Sequence, residues 1–156
     1  MKTLHMGVVV DVFSIKEYAQ ELRQMYFNKD TSVQESLKNI ANDNDIEILY
    51  DTWSEPTKYD SIKKKYIITL SYRLDFEYNN YRLATELGRC LFRLVWKNVD
   101  DKICTIFASE LLIPERILKD ISADYEYNEK LIAKFFDAPV AAVYIKMYFL
   151  NLKEHD

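Results

Sequence analysis

The sequence predicts a helix-rich α+β domain with a small β-sheet. Two glycines and three prolines in 156 residues leave little material for tight hairpins and favour long regular elements. The longest apolar runs repeat at helical spacing, and two short stretches carry the alternation or β-branched enrichment of strands. With 49% hydrophobic and 14% aromatic residues, a chain of this length can bury a core as one domain, and extensive disorder is excluded.

Residues 3–12 include a β-branched run that suits an edge strand or a docked N-terminal arm. Ser14 followed by Glu17 reads as a capping box, and Ile15, Tyr18, Ala19, Leu22, Met25 and Tyr26 then recur at helical spacing up to Phe27. Residues 1–31 thus form an arm and a first helix. A second capping box, Ser32 with Glu35, opens a helix through Val33, Leu37, Ile40 and Ala41 that the polar run at 42–45 ends. Ile46 to Tyr50 alternates as a strand. A polar loop holding Trp53, Pro56 and Tyr59 leads to a second strand, Tyr66-Ile-Ile-Thr-Leu-Ser-Tyr72, in the same sheet. Asp75 is placed to cap the next helix, whose core stripe is Leu83, Leu87, Leu91, Leu94 and Val95, with Thr85, Gly88, Arg89 and Phe92 on another face. A glycine inside a helix costs about 1 kcal/mol relative to alanine, so Gly88 implies that a neighbour passes close there. A further helix opens at 98–101 and runs through Ile103, Ile106, Phe107, Leu111 and Leu112 to Pro114, which starts a short helical turn. Residues 128–136 and 139–152 read as a closing helical pair, with Pro139 in the first turn of the last helix. That last helix is apolar nearly all round, which suits the centre of the core or a face for a partner, and core is the preferred reading.

The net charge of −4 offers no footprint for a nucleic-acid backbone, and Lys63-Lys-Lys65 reads as a solvated turn before a strand. No apolar run reaches membrane-spanning length, and the run 6–10 is broken by Asp11 before it could act as a signal-peptide core, so a cytoplasmic protein is expected. Cys90 and Cys104 lack metal-ligand spacing and read as buried small hydrophobes. No glycine-rich phosphate loop points to a nucleotide, and no cofactor is expected.

The stretch around Glu86 carries the chemistry. A zinc-protease helix of the form His-Glu-x-x-His sets two histidines on one face to hold Zn²⁺ and uses the glutamate as general base on the metal-bound water. Here Glu86 is present, but Thr85 and Arg89 stand where the histidines would be. Threonine is a poor zinc ligand and a guanidinium cannot be deprotonated to bind a cation. The two histidines, His5 and His155, lie at the ends of the sequence.

Four pieces, in order, resemble the ImmA/IrrE family of zinc metallopeptidase-like proteins from phages and other mobile elements. The strand Tyr66-Ile-Ile-Thr-Leu-Ser71 is similar to the family's strand before its active helix, and Tyr81-Arg-Leu-Ala-Thr-Glu-Leu-Gly-Arg89 resembles R-F-x-x-A-H-E-L-G-H. Asp101-Lys-Ile-Cys-Thr-Ile-Phe-Ala-Ser-Glu-Leu-Leu-Ile-Pro114 is similar to E-x-x-A-x-x-F-A-x-x-L-L-x-P and is the most specific of the four. Leu131-Ile-Ala-Lys-Phe-Phe-Asp-Ala-Pro-Val-Ala-Ala-Val143 resembles the family's closing segment. The resemblance covers residues 32–152 and implies a zincin-like domain in which the three metal positions have become Thr85, Arg89 and Asp101. It therefore implies no zinc, no peptide hydrolysis, and Glu86 as the remnant of the general base.

Losing the metal would leave Glu86 and Asp101 facing each other, and Arg89 suits the vacated place because its planar fork pairs with carboxylates. Arg89 also lies one turn from Glu86, where an i, i+3 pair can form; the plain alternative is a solvated side chain. Glu86, Asp100, Asp101 and Glu110 could instead form an oxygen-ligand site for a hard cation, but an adjacent arginine opposes this. The resemblance implies a binding protein that regulates or antagonises a helix-turn-helix repressor without cutting it. Its contact residues would be Thr85, Glu86, Arg89 and Asp101, or Trp53 and Tyr59, which equally could only cover the sheet. The alternatives are a metal-dependent peptidase with relocated ligands and a structural module that self-associates through the last helix.

Overall fold

A computed structural model describes residues 11–95 and 101–152. Among them the chain is α+β, with seven helices and a three-stranded mixed sheet. Helix α1 (Val12–Tyr26) and helix α2 (Val33–Asp43) lead into strands β1 (Ile46–Asp51), β2 (Glu55–Asp60) and β3 (Lys65–Ser71). Helices α3 (Phe76–Leu91), α4 (Lys102–Leu112), α5 (Glu115–Ser122), α6 (Glu129–Phe136) and α7 (Val140–Phe149) follow. The expected arm or strand at 3–12 falls outside the described residues except at its end, where Val12 opens α1; His5, His155 and Asp100 also lie outside them.

The first capping signal is corrected by three residues. Asp11, not Ser14, is the N-cap of α1, and its carboxylate accepts the Ser14 N–H at 2.7 Å, because a charged acceptor at that end also meets the helix dipole. The second signal holds: Ser32 caps α2 and its Oγ accepts the Glu35 N–H at 3.1 Å. Asp75 occupies the N-cap position of α3 without a side-chain bond. Pro114 and Pro139 sit one place before their helices, and what reads as a turn after Pro114 is the eight-residue α5.

The sheet has the order β1-β3-β2. β1 runs parallel to β3, with Ile46 opposite Tyr66 and Ile48 opposite Ile68, so the two predicted strands do pair. The stretch expected as a loop is itself β2, antiparallel to β3, with Lys58 opposite Ile67 and a register irregularity between Glu55 and Lys58 around Pro56. Proline and polar residues masked this strand, and its place at the sheet edge is where both are tolerated. Lys64 takes the left-handed conformation (φ 56°) in the turn before β3.

Helix α4 is the centre of the fold. Cys104, Phe107, Ala108, Leu111 and Leu112 are buried along it, and it packs on α1 through Ile15, Ala19 and Leu22 and on α3 through Leu83, Ala84 and Leu87. Its C-terminal carbonyls are met by two cations, the buried Lys146 and the partly buried Arg23, as the helix dipole favours. Arg23 of α1 donates to the Leu111 carbonyl at 2.6 Å, and Lys146 of α7 donates to the carbonyls of Ser109 at 3.1 Å and Ile113 at 2.5 Å. Burial pulls the Arg23 guanidinium down to about 10 and lowers Lys146 as well, with Glu110 opposing both shifts.

The assignment of the last helix to the core is overturned. Only Val143, Lys146 and Met147 of α7 face inward, while Val140, Tyr144, Ile145, Tyr148 and Phe149 are exposed. α7 closes the molecule on α6, so one side of an apolar helix covers the fold and the other does not.

Gly88 meets the neighbour that the sequence implied. A Cβ there would stand 2.8 Å from Cδ1 of Phe107, a fully buried ring held edge-on by Phe92 at 5.5 Å and flanked by Tyr18 at 6.0 Å. Alanine at a helical glycine normally gains up to about 1 kcal/mol, whereas overpacking a rigid site costs roughly 1–3 kcal/mol. Gly88→Ala is therefore expected to lose about 1–2 kcal/mol of stability in urea unfolding; a gain would mean that Phe107 moves freely.

Candidate functional site

Four side chains from three elements meet beside α3. Glu86 is buried, 6% exposed, and its two oxygens are divided between neighbours. Oε1 accepts the hydroxyl of Thr57 from β2 at 3.0 Å, and Oε2 accepts Nε of Arg89 at 2.8 Å. The far edge of the same guanidinium, Nη2, donates to Oδ1 of Asp101 at 2.5 Å, at the N-cap of α4. Arg89 thus bridges the two carboxylates, one turn from Glu86 along the helix and across to the next element. The reading of Arg89 as a solvated side chain fails, since its side chain is 18% exposed.

The electrostatics follow from this geometry. Burial works against the charge on Arg89, but the hydrogen bonds to Glu86 and Asp101 outweigh it and hold the guanidinium above its ordinary value. Burial likewise pushes the Cys104 thiol up to about 11 and raises Cys90, so both stay protonated at neutral pH. Both cysteines are free and buried.

Thr85 lies on the same face but makes no bond to this group. Its hydroxyl donates back to the Tyr81 carbonyl at 2.9 Å, the usual partner of a threonine inside a helix. The proposed carboxylate cation site is not assembled. Glu110 sits nine residues beyond Asp101 along α4, with Oε1 accepting the Glu115 N–H at 2.9 Å and Oε2 paired with Lys146 at 3.3 Å. Among the described residues no group of three or more His, Cys, Asp and Glu side chains is placed to hold a metal ion.

The bridge floors an open cleft of about 360 Å³, walled by Leu74, Tyr78, Arg82 and Thr85 with Arg89 and Asp101. Tyr78, Arg82, Thr85 and Arg89 form one stripe of α3 at i, i+4, i+7 and i+11, opposite the buried Leu83 and Leu87. Tyr78 in the cleft wall and Trp53, Tyr72 and Phe76 outside it are half to two-thirds exposed, and Trp53 lies beneath the Arg73 guanidinium at 4.8 Å. Tyr72 shares a hydrogen bond with Thr52 at 2.6 Å. Tyr59 lies in β2 rather than in a loop, and its ring meets that of its cross-strand partner Tyr66 edge-on at 5.0 Å.

Thr57, Tyr72, Phe76, Tyr78 and Arg82 were missed in the sequence. Thr57 was hidden by misreading β2 as loop. The i, i+4, i+7, i+11 stripe, by contrast, was open to inspection as a second periodicity running beside the leucines.

No family model matches this chain, and no curated protein matches it in sequence. Among solved structures it is similar to a Mycobacterium tuberculosis transcriptional regulator, with a TM-score of 0.66 and 15% identity over 84% of this chain. The similarity covers 45% of that regulator, so the chain spans less than half of its length. At this identity the likeness is one of fold. No helix among the described residues is long and apolar enough to cross a membrane.

Removing Arg89 strands a buried carboxylate, and breaking a buried pair from one side costs up to 3–5 kcal/mol, less where a partner is solvated. The Asp101 side chain is 64% exposed, so Arg89→Ala should lose about 2–3 kcal/mol, most of it through Glu86. The double variant Glu86→Gln with Arg89→Ala should lose at least about 1 kcal/mol less than the sum of the two single losses in a thermodynamic cycle. Additive losses would show that the two side chains do not act as a pair.

Proposed function

We propose that this chain is a binding domain on a zincin-like scaffold of the ImmA/IrrE type, in which a fixed arginine stands where the parent site keeps its metal. The observation that carries this reading is the Arg89 bridge. One planar fork takes Glu86 with one edge and Asp101 with the other, and these are the positions the resemblance assigns to the general base and the third ligand. A cation held by two hydrogen-bonded carboxylates offsets their charge much as a metal would, yet it has no open coordination position at which to activate water.

Such a cleft holds rather than cuts. Tyr78 in the cleft wall, and the exposed Trp53 with Arg73, Tyr72 and Phe76 from the segments that lead into α3, are the residue types that anchor protein interfaces. We take the partner to be a protein, a helix-turn-helix repressor of a phage or mobile element, and the activity to be regulation or antirepression in the cytoplasm without cleavage. The structural likeness to a protein described as a transcriptional regulator is compatible with that role.

Two experiments test the reading at different levels. Protein purified from zinc-supplemented cultures should carry far less than one equivalent of zinc, whereas the variant Thr85→His with Arg89→His should acquire a zinc site. Failure of that variant to bind zinc while folded would remove the zincin scaffold from the proposal. A candidate repressor should be recovered intact with the wild-type protein, with binding at least about tenfold weaker after Trp53→Ala or Tyr78→Ala. Defined repressor fragments that EDTA prevents would instead establish a peptidase.

A further inference from the structure

We propose that the outward face of α7, with the groove beside it, is the surface through which two copies of this chain pair about a two-fold axis. At 3.6 residues per turn Val140, Tyr144 and Tyr148 fall beside Ala141, Ile145 and Phe149, so they cover roughly half the circumference of the helix without interruption. All six are exposed, Tyr148 by 71% and Phe149 by 79%. This is a continuous patch rather than scattered surface hydrophobes.

Area, charge and shape together favour a second copy as the occupant. A buried aromatic ring covers ~150–250 Å², so Tyr144, Tyr148 and Phe149 expose roughly 400 Å² between them. Ile145 and Val140 bring this toward the ~600 Å² per partner at the lower end of specific interfaces. A two-fold axis sets like residues against like, so a charge near it would meet its own copy. The outward half of α7 carries none, and Lys146, the charged residue within the helix, points inward.

The patch also holds both a ridge and a recess. Beside α7 runs a groove of about 390 Å³ whose apolar walls come from Val12, Ile106, Ala142, Ile145 and Phe149. Its charged groups are paired: the three protons of Lys146 go to the carbonyls of Ser109 and Ile113 and to Glu110, while Lys16 pairs with Glu115. The recess therefore suits an apolar insert, and the rings of Tyr148 and Phe149 on a partner copy supply one. A ridge and a recess on one patch satisfy the self-complementarity that a two-fold interface requires.

This pairing does not depend on the function proposed for the cleft. Sedimentation velocity over low to high micromolar concentrations should show a monomer–dimer equilibrium for the wild-type chain. Tyr148→Glu and Phe149→Glu should each weaken it at least about tenfold while leaving the thermal melt unchanged at dilutions where the wild type is monomeric, since both rings are exposed. Trp53→Ala, which tests the proposed repressor contact, should leave the dimer intact. A wild-type chain that stays monomeric at the highest concentration would overturn the proposal, and so would a dimer that survives both glutamate variants.

Discussion

The contact between Gly88 and Phe107 sets the geometry on which the rest depends. With no side chain at Gly88, the Phe107 ring of α4 packs against α3 in the space a Cβ would take. Arg89 is the next residue on α3 and Asp101 the residue before α4, so the close approach that admits the ring also brings the guanidinium within reach of that carboxylate. Phe92 and Tyr18 then hold Phe107 from the other sides, which ties α1 into the same arrangement. The spacing between the site residues is thus a consequence of core packing.

Charge explains why the site holds together once it is assembled. A carboxylate as enclosed as Glu86 is costly unless both oxygens find donors, and it receives one from Thr57 and one from Arg89. Lysine in place of Arg89 would offer a point charge, able to satisfy one carboxylate well. The planar fork reaches two on separate helices at once. The same device recurs at the other end of α4, where Lys146 joins Glu110 to helix carbonyls, so both ends of the central helix are held by a cation from a neighbouring helix. α4 is pinned at its acidic start by α3 and at its carbonyl end by α1 and α7.

The legible parts of this fold are those in which one local rule decides the outcome. The helical periods, the Ser32 cap, the β1 and β3 strands and the reason for Gly88 follow from spacing and residue type. The pairing of Arg89 with Glu86 and Asp101 was also within reach, because an unneutralised acid beside an arginine poses a problem that the geometry must solve. β2 escaped because Pro56 and its polar neighbours look like a loop unless the edge of a sheet is known to run there. α7 escaped for a different reason: an apolar sequence states that a surface avoids water, but the chain order alone does not state how many neighbours the helix will have.

The two surfaces left by this architecture differ in kind. The cleft has a fixed, internally neutralised polar floor with the exposed Tyr78 and the half-buried Arg82 in its wall, so the proposed partner would be recognised there by shape and a few directed contacts. The α7 face has no outward charge, and the lysines of its groove are paired, so a partner there would be held mainly by apolar burial. Tyr81 of α3 borders both recesses, with the cleft on one side and the groove on the other. A chain whose two surfaces share a wall presents them in a fixed relation, so pairing through α7 would hold two clefts at a constant spacing. A partner that is itself a symmetric dimer would then meet both clefts at once, which raises its apparent affinity without any new contact.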